Sequence, residues 1–283
     1  MELKKTPLYD EHVKQGGKMV DYAGWLLPVQ YEGIIAEHEA VRTKAGMFDV
    51  SHMGEVVVKG SGALDYLQYL LTNDISVLAL NQVVYTFMCY PDGGVVDDLL
   101  VYRIGDEEYL LVINASNTDK DFKWMKDQVK DFDVTVENIS DEVGEVALQG
   151  PNAEKILSKL TDENLSEIKF FHLKKDIIIA DTNFLVSRTG YTGEDGFEIY
   201  TTRDGIVKVW TSILEAGEEY GIKPAGLGCR DTLRFEAGLP LYGHEISKEI
   251  SPIEGGVKFF VKLDKQDFIG KDVLLEQKEN LTS

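Results

Sequence analysis

A tight turn at Pro91–Gly94 lies between two strand-like runs, and it constrains the fold of this chain more than any other local feature. The turn reads Pro-Asp-Gly-Gly, with β-branched and aromatic residues on both sides. A short turn of this composition joins neighbouring antiparallel strands, whereas parallel strands need a long crossover. We therefore predict an α+β fold with antiparallel sheets and flanking helices, and not a doubly wound parallel sheet.

Further strands are predicted by short apolar runs bounded by turn residues. Each run is rich in β-branched or aromatic side chains, which is typical of strands. The runs are Glu55–Val58, Tyr109–Ile113, Asp176–Ala180, Phe197–Tyr200 and Val257–Val261.

Three segments have helical periodicity, with apolar residues at three- and four-residue steps. Asn152 stands where the N-cap of the third helix is expected. The apolar stripes are Phe122, Met125, Val129 and Phe132; Ile206, Val209, Trp210, Ile213 and Leu214; and Ile156, Leu157 and Leu160.

Length and composition bound the class of protein. At about 150 residues per domain, a chain of 283 residues favours two domains. A hydrophobic content of 43% can fill a core, so intrinsic disorder is excluded. The net charge of -20 repels a phosphate backbone, and no local block of Lys and Arg reverses this. We predict no nucleic-acid partner.

Cysteine content and terminal sequence bear on the compartment. Cys89 and Cys229 are the two cysteines, which give neither a disulfide framework nor a thiolate zinc cage. Residues 1–11 lack the apolar core of a secretory signal, and no apolar run reaches the roughly 18 residues of a membrane span. The sequence therefore predicts a soluble, cytoplasmic protein with no membrane partner.

The hairpin delivers two consecutive carboxylates, Asp97 and Asp98, into an otherwise apolar strand. Neighbours on a strand point to opposite faces, so the two side chains are not expected to share one environment. A carboxylate on an apolar face is costly unless it is paired or takes part in chemistry. From the residues alone, a simple role in bonding turn amides explains the pair better than catalysis.

A glycine-rich segment, Arg188–Gly196, precedes the strand Phe197–Tyr200. Three glycines in seven positions mark a sharply turning loop, but neither a dinucleotide fingerprint nor a P-loop is present. Glu198 alternates with two apolar neighbours, which by itself favours an exposed strand face.

The segment Pro224–Pro240 places Arg230 and Arg234 four residues apart on a predicted helix. An ion pair with Asp231 or Glu236 and an anion-binding role explain them equally well. The five histidines have no metal-ligand spacing, so we predict no metal site.

Together these segments resemble one family, the aminomethyltransferase, or T-protein, of the glycine cleavage system. The resemblance covers essentially the whole chain and includes further motifs in the same order: Met19–Trp25, Pro28–Tyr31, Phe48–Glu55 and Leu148–Pro151. Broader relatives of the same fold are sarcosine- and dimethylglycine-oxidising enzymes, a sulfonium demethylase and a folate-binding iron–sulfur maturation protein.

The resemblance implies a multi-domain, cloverleaf-like folate-binding fold and tetrahydrofolate as cosubstrate. The lipoyl-carrying H-protein would deliver an aminomethyl group on its dihydrolipoyl arm. Tetrahydrofolate would take the one-carbon unit as 5,10-methylenetetrahydrofolate, and ammonia would leave.

Individual residues match the family's site. Asp98 matches the catalytic aspartate, which would also contact folate and stabilise the cationic one-carbon unit beside folate N10. Glu198 matches the pterin-binding glutamate, and Arg230 matches the folate-contacting arginine. The rest of the expected cleft lining is Tyr85, Leu100, Tyr102, Val112, Asn114 and Tyr191.

Domain organisation is also expected from the resemblance. We expect one α+β domain from residues 1–50 plus 140–224 and a second from 51–139 plus 225–283. The family continues past Phe268–Lys271 into a C-terminal β-barrel that packs against the folate site. This chain stops at Ser283, so we expect the barrel to be absent.

Two alternatives remain open on the same fold. A non-catalytic folate-binding maturation protein would carry a Lys-Gly-Cys-x-Gly-Gln-Glu segment, of which Leu227–Arg234 keeps only Gly-Cys. The lack of the rest of this segment favours the aminomethyltransferase over the maturation protein. A folate-dependent demethylase would differ in the shape of its cleft and not in a motif.

Overall fold

The structure, a computed structural model, describes residues 2–281. Its strands are β1 (Lys4–Lys5), β2 (Met19–Tyr22), β3 (Trp25–Pro28), β4 (Gly46–Asp49), β5 (Gly54–Lys59), β6 (Val83–Cys89), β7 (Val95–Gly105), β8 (Glu108–Ile113), β9 (Thr135–Asn138), β10 (Val143–Gln149), β11 (Leu173–Ile179), β12 (Thr182–Ser187), β13 (Gly196–Thr202) and β14 (Lys223–Pro224). Its α-helices are α1 (Tyr9–Lys14), α2 (Ile34–Thr43), α3 (Ala63–Leu70), α4 (Thr118–Asp127), α5 (Ala153–Leu157), α6 (Arg203–Gly217), α7 (Leu227–Glu236) and α8 (Lys271–Leu281).

The chain divides into two compact units. Unit 1 comprises Met1–His52 and Ser140–Leu239, and unit 2 comprises Met53–Ile139 and Pro240–Ser283. Residues 225–239 therefore lie in unit 1, whereas the sequence placed them in the second domain. The reason is that the N-terminus of α7 packs closely against the backbone of Val29, which belongs to unit 1. A Cβ on Gly226, the N-cap residue of α7, would lie only 2.5 Å from the Val29 carbonyl carbon. That these two units are separate domains remains a proposal.

Unit 1 is built on a six-stranded sheet in the order β11-β12-β13-β10-β4-β14, together with a three-stranded sheet in the order β1-β3-β2. The first five strands of the larger sheet pair antiparallel. The periodic stripe on α6 is confirmed, because Ile206, Val209, Trp210 and Ile213 are buried in the core of this unit. Burial of this apolar face, more than helix propensity, holds α6 in place.

Unit 2 is built on a five-stranded antiparallel sheet in the order β6-β7-β8-β5-β9. The predicted hairpin is confirmed: β6 and β7 pair antiparallel on either side of Pro91–Gly94. Gly93 takes a φ of +88°, which is a left-handed conformation that favours glycine in a tight turn. The antiparallel α+β fold predicted from this turn is therefore confirmed.

The strand predicted at Val257–Val261 is wrong, because residues Lys258–Phe260 form a 3-10 turn. The preceding Gly256 has a φ of +77° and closes a turn by donating its N–H to the Ile253 carbonyl. The run is apolar because Phe260 and Val261 pack against a buried cluster that includes Phe87 and Phe268. Such local packing gives the same composition as a strand without any sheet partner.

Two predicted helices are shorter than their apolar stripes. Helix α4 ends at Asp127, because Lys130 has a φ of +43° and the chain turns, although Val129 and Phe132 still pack on the same core. Helix α5 ends at Leu157, so Leu160 lies beyond it and packs on the core from outside the helix. Asn152 does occupy the N-cap position of α5, but its side chain makes no capping hydrogen bond.

Within residues 2–281, the helices are all too short or too polar to cross a lipid bilayer.

Candidate active site

Most of the predicted site residues in unit 2 share one face of its sheet. Alternate residues of a strand point to the same face, and paired residues on adjacent antiparallel strands lie side by side. The register pairs Leu100 with Tyr85 on one side and with Val112 on the other. The predicted residues on this face, here called the Asp98 face, are Tyr85, Asp98, Leu100, Tyr102, Val112 and Asn114.

Asp98 is half-buried and is held by two side chains from neighbouring strands. The Tyr85 hydroxyl donates to Asp98 Oδ2 at 2.7 Å, and Asn114 Nδ2 donates to Asp98 Oδ1 at 2.8 Å. Tyr85 reaches Asp98 diagonally across the hairpin, while Asn114 follows the last residue of β8. Both carboxylate oxygens therefore have a donor, so the side chain is fixed in one orientation.

Asp97 lies on the opposite face of β7 from Asp98, as strand alternation predicts, yet the two carboxylates share one hydrogen-bond donor. It is fully buried, yet it accepts a hydrogen bond from the same Asn114 amide at 2.9 Å that also donates to Asp98. The reason is that the chain leaves β8 at Asn114 and folds a 3-10 turn, Ala115–Asn117, over the end of the sheet. This turn brings donors to carboxylates on either side of β7.

The protonation of Asp98 differs from that of an ordinary aspartate. Burial, followed by repulsion from the Asp97 carboxylate, raises the pKa of Asp98 to about 7, although the hydrogen bonds from Tyr85 and Asn114 favour the ionised form. A carboxylate of this kind can accept a proton near neutral pH. A general base is most effective when its pKa lies close to the working pH.

The raised pKa predicts a pH-dependent stability. The folded protein holds the Asp98 proton more tightly than the unfolded chain, where the pKa has its ordinary value of 3.8. Stability should therefore fall as the pH rises from about 4 to about 7, because ionisation costs the folded state free energy. Asp98→Asn, which cannot ionise, should melt roughly 3 °C or more above the unmodified protein at pH 8 and at the same temperature at pH 4. Thermal melts at both values check this, and an equal difference at both would contradict it.

Glu198, in unit 1, lies on β13 and is only 5% exposed. The hydroxyl of Thr189 donates to Glu198 Oε2 at 2.5 Å, and Thr189 is also hydrogen-bonded to Ser187 at 2.6 Å. The exposed strand face favoured by the residues alone is therefore wrong. The reason is that β13 lies inside the sheet, between β10 and β12, and that the chain beyond β12 places Thr189 against the Glu198 side chain.

The glycine-rich segment closes onto the side chain of Gln149. The Gln149 amide donates to the carbonyl of Thr189 at 3.1 Å and accepts from the hydroxyl of Thr192 at 2.8 Å. A Cβ on Gly190 would lie 2.0 Å from Gln149 Oε1, so only glycine allows this approach. The glycines therefore serve to position Thr189, and through it Glu198.

Arg230 and Tyr191 contact each other, as expected for two residues of one site. The Arg230 guanidinium carbon lies 4.8 Å from the centre of the Tyr191 ring. Arg230 Nη1 is buried without a hydrogen-bond partner among the described residues. Arg230 also lines a small cleft in unit 1 together with Phe48 and Asp49. A buried donor beside an aromatic ring in a cleft suits an acidic or carbonyl-bearing ligand.

The ion-pair alternative applies to Arg234 and not to Arg230. Arg234 Nε donates to Asp231 Oδ1 at 2.9 Å. Cys229 is buried, and burial raises the pKa of its thiol to about 12, so it behaves as a small apolar side chain.

Sequence reasoning missed several side chains that hold the predicted ones. Asn117 Nδ2 donates to Asp97 Oδ1 at 2.7 Å, and the Phe260 ring packs edge-on against Tyr85 at 4.8 Å. The Asn-x-x-Asn spacing after β8 is the one signal that could have indicated Asn117. Among the described residues, no group of three or more His, Cys, Asp or Glu side chains is arranged to hold a metal ion.

Comparison with known proteins adds a family and close relatives. The family model of the GCVT N-terminal domain matches residues 8–265. The aminomethyltransferase of Thermoanaerobacter sp. (strain X514) is 64% identical over 277 residues, which are 98% of this chain and 75% of that protein. The aminomethyltransferase of Alkaliphilus oremlandii (strain OhILAs) is 62% identical over 278 residues, which are 98% of this chain and 76% of that protein.

Two solved structures are similar to this chain, one in sequence and fold and the other in fold alone. The glycine cleavage system aminomethyltransferase T from Bartonella henselae is 33% identical, with a TM-score of 0.90 over 98% of this chain and 75% of that one. The heterotetrameric sarcosine oxidase from Corynebacterium sp. U-96 is 14% identical, with a TM-score of 0.54 over 78% of this chain, and shares the fold alone.

Proposed function

The chain belongs to the glycine cleavage aminomethyltransferase (GCVT) family, and we propose that the Asp98 face is its catalytic surface. As a member of this family it is an aminomethyltransferase, which passes a one-carbon unit to tetrahydrofolate. The observation that carries the placement is the half-buried Asp98 carboxylate, oriented by Tyr85 and Asn114 on the face where the family's catalytic aspartate is expected.

The reaction defines what the protein must provide. The aminomethyl group arrives on the dihydrolipoyl sulfur of the H-protein. Its carbon–sulfur and carbon–nitrogen bonds break, while two new carbon–nitrogen bonds form to folate. The two protons lost by the folate nitrogens end on the thiol and on ammonia, so the atoms balance without an oxidant or reductant. The protein therefore has to stabilise a transient cation and move protons.

Asp98 meets both requirements. Its fixed charge can stabilise a cationic one-carbon unit that develops beside it, and such preorganised electrostatic stabilisation is often the largest catalytic contribution. With a pKa of about 7, it can also accept a proton from a folate nitrogen and release it again. The partial burial of Asp98 strengthens both effects, because water screens its charge less than it would at the open surface.

Glu198 and Arg230 are proposed to bind the folate. A carboxylate can accept two parallel N–H bonds from the 2-amino edge of a pteridine, and Glu198 is buried in unit 1, where Thr189 orients it. The unpartnered Nη1 of Arg230 can donate to a ring oxygen or to a carboxylate of the ligand.

A cytoplasmic location and the absence of a metal and of a nucleic-acid partner stay predictions from the sequence.

The experiment that tests this function runs the reaction in reverse. The protein is mixed with 5,10-methylenetetrahydrofolate, ammonium and dihydrolipoyl H-protein, and tetrahydrofolate is followed together with the mass of the carrier. We expect tetrahydrofolate to appear in step with aminomethylated carrier, and only when ammonium is present. The control is carrier with its lipoyl group oxidised, which offers no thiol. Formation of tetrahydrofolate with that control, or none with the reduced carrier, would contradict the proposal.

A further inference from the structure

Asp97 is a second, fully buried carboxylate directly before Asp98, and the proposed reaction makes no use of it. A buried aspartate is rare unless it is paired or hydrogen-bonded, since burial of its charge is costly. Its side chain lies on the other side of β7 from the Asp98 face, so it does not contact ligands bound on that face. The contacts of Asp97 therefore have to explain why a carboxyl group is buried at this position.

The turn that follows β8 supplies three N–H donors to Asp97. The backbone N–H of Asn114 donates to Asp97 Oδ2 at 3.0 Å, and the Asn114 side-chain amide donates to Oδ1 at 2.9 Å. Asn117 Nδ2 donates to the same Oδ1 at 2.7 Å. Three donors on two oxygens hold the Asp97 side chain in one orientation.

Helix α4 supplies a second buried carboxyl group near Asp97, that of Asp121. This carboxyl group is buried, and its burial and the Asp97 charge raise the pKa of Asp121 to about 10. A protonated Asp121 can donate its proton to the Asp97 carboxylate. Other charged or titratable groups near this pair are Lys120, whose Nζ lies 2.8 Å from Asp121 Oδ1, and Tyr242, whose ring centre lies 5.1 Å from that Nζ.

The Asn114 amide links the two aspartates directly. One Nδ2 group lies 2.9 Å from Asp97 Oδ1, 2.8 Å from Asp98 Oδ1 and 3.2 Å from the Asp98 carbonyl oxygen, so its two hydrogens are shared between Asp97 and Asp98. The bond to Asp97 fixes the plane of the amide, and that plane sets the direction of the bond to Asp98. Asp97 thus acts on Asp98 both through this amide and through its charge.

We propose that Asp97 is a positioning residue that aims the Asn114 amide at Asp98 and, through the carboxyl group it places beside that residue, sets the acid–base behaviour of Asp98. The inference rests on the proposed role of Asp98 in aminomethyl transfer.

The test measures the ionisation of Asp98 directly, without turnover. The full chain is labelled with ¹³C-aspartate, the Asp98 carboxyl signal is assigned by its loss in Asp98→Asn, and its shift is followed with pH. We expect the midpoint in Asp97→Asn to fall by at least about one pH unit, because a neutral amide no longer repels the Asp98 charge. The acid limb of the kcat/KM profile should move in the same direction.

The matched control is Asp121→Asn, which also replaces a buried carboxyl by an amide. The introduced amide can still donate to Asp97 and accept from Lys120, so the Asp98 midpoint should stay within about 0.3 units. A second control, Asp127→Asn, removes a charge from the exposed end of α4. If Asp97→Asn does not fold, Asp97→Ala removes the charge without placing an amide against the Asn114 N–H.

An unchanged Asp98 midpoint in a folded Asp97 variant would overturn the proposal, and so would an equal shift in Asp121→Asn. A shifted midpoint with an unshifted kcat/KM profile would instead overturn the role of Asp98 in transfer while leaving the effect of Asp97 on Asp98 intact. A failure of the inference about Asp97 and a failure of the proposed role of Asp98 therefore give different experimental results.

Discussion

Asp98→Asn is expected to lower the rate of aminomethyl transfer by at least about 10²-fold while the fold is retained. The substitution keeps the size of the side chain and removes its charge. It therefore removes both the electrostatic stabilisation of the one-carbon cation and the acceptor for a folate proton. Loss of either contribution alone typically costs two orders of magnitude or more.

The asparagine is compatible with the existing hydrogen bonds, so the loss should not come from misfolding. Its Oδ1 can accept from Asn114 Nδ2, and its Nδ2 can donate to the Tyr85 hydroxyl oxygen. Binding of tetrahydrofolate should change little, because Glu198 and Arg230 are proposed to provide the main polar contacts. The expected pattern is a fall in kcat with KM for folate nearly constant.

A control for this prediction lies in the same hairpin. Asp92 is exposed in the turn, and its Oδ1 accepts from the Gly94 N–H at 3.2 Å, an acceptor that Asp92→Asn retains. This variant removes the same charge and should keep full activity. Steady-state rates of both variants are compared in one assay. Turnover of Asp98→Asn close to that of Asp92→Asn would remove Asp98 from the mechanism.

Much of the Asp98 face could be predicted from the sequence, because strand alternation is strictly periodic. Every second residue of β7 shares the face of Asp98, but the pairing of Tyr85 with Leu100 does not follow from the turn Pro91–Gly94, because the register shifts by one residue between Met88 and Cys89. The choice of Asp98 over Asp97 as the catalytic residue came from the family resemblance and not from periodicity. No pattern within a strand identifies which of two neighbouring carboxylates faces a ligand.

The supports of the site could not be predicted, because they come from irregular backbone. The 3-10 turn Ala115–Asn117 determines that Asn114 reaches both aspartates, and no propensity rule predicts that path. The hydrogen bond from Thr189 to Glu198 depends in the same way on how the glycine-rich segment closes onto Gln149. Such contacts join residues from different strands and loops, so only the tertiary structure shows them.

The errors in secondary structure have a related cause. The run Val257–Val261 has the composition of a strand, but its side chains pack on a local cluster and its backbone bonds form a turn. Likewise, Val129 and Phe132 continue the apolar stripe of α4 after the helix has ended. Hydrophobic periodicity reports burial, and burial does not require the backbone to keep one conformation.

Glu198→Gln is expected to weaken the binding of tetrahydrofolate by about 10- to 100-fold. A hydrogen bond to a charged group contributes roughly 1.5–3 kcal/mol, and glutamine has a single carbonyl oxygen with which to accept. If that oxygen keeps the bond from Thr189, the amide nitrogen faces the pteridine and opposes its N–H donors. The loss should appear in the dissociation constant measured by titration calorimetry or by fluorescence quenching.

Two control variants test whether the loss of binding comes from the Glu198 carboxylate itself. Glu215→Gln removes an exposed carboxylate on α6 and should bind folate normally. Thr189→Val removes the donor to Glu198 but keeps the charge, so it should weaken binding by less than Glu198→Gln, because the freed oxygen can still accept from the ligand. Folate affinity in Glu198→Gln equal to that of the unmodified protein would contradict the pterin-binding role. A larger loss in Thr189→Val than in Glu198→Gln would show that the loop, and not the carboxylate, makes the contact.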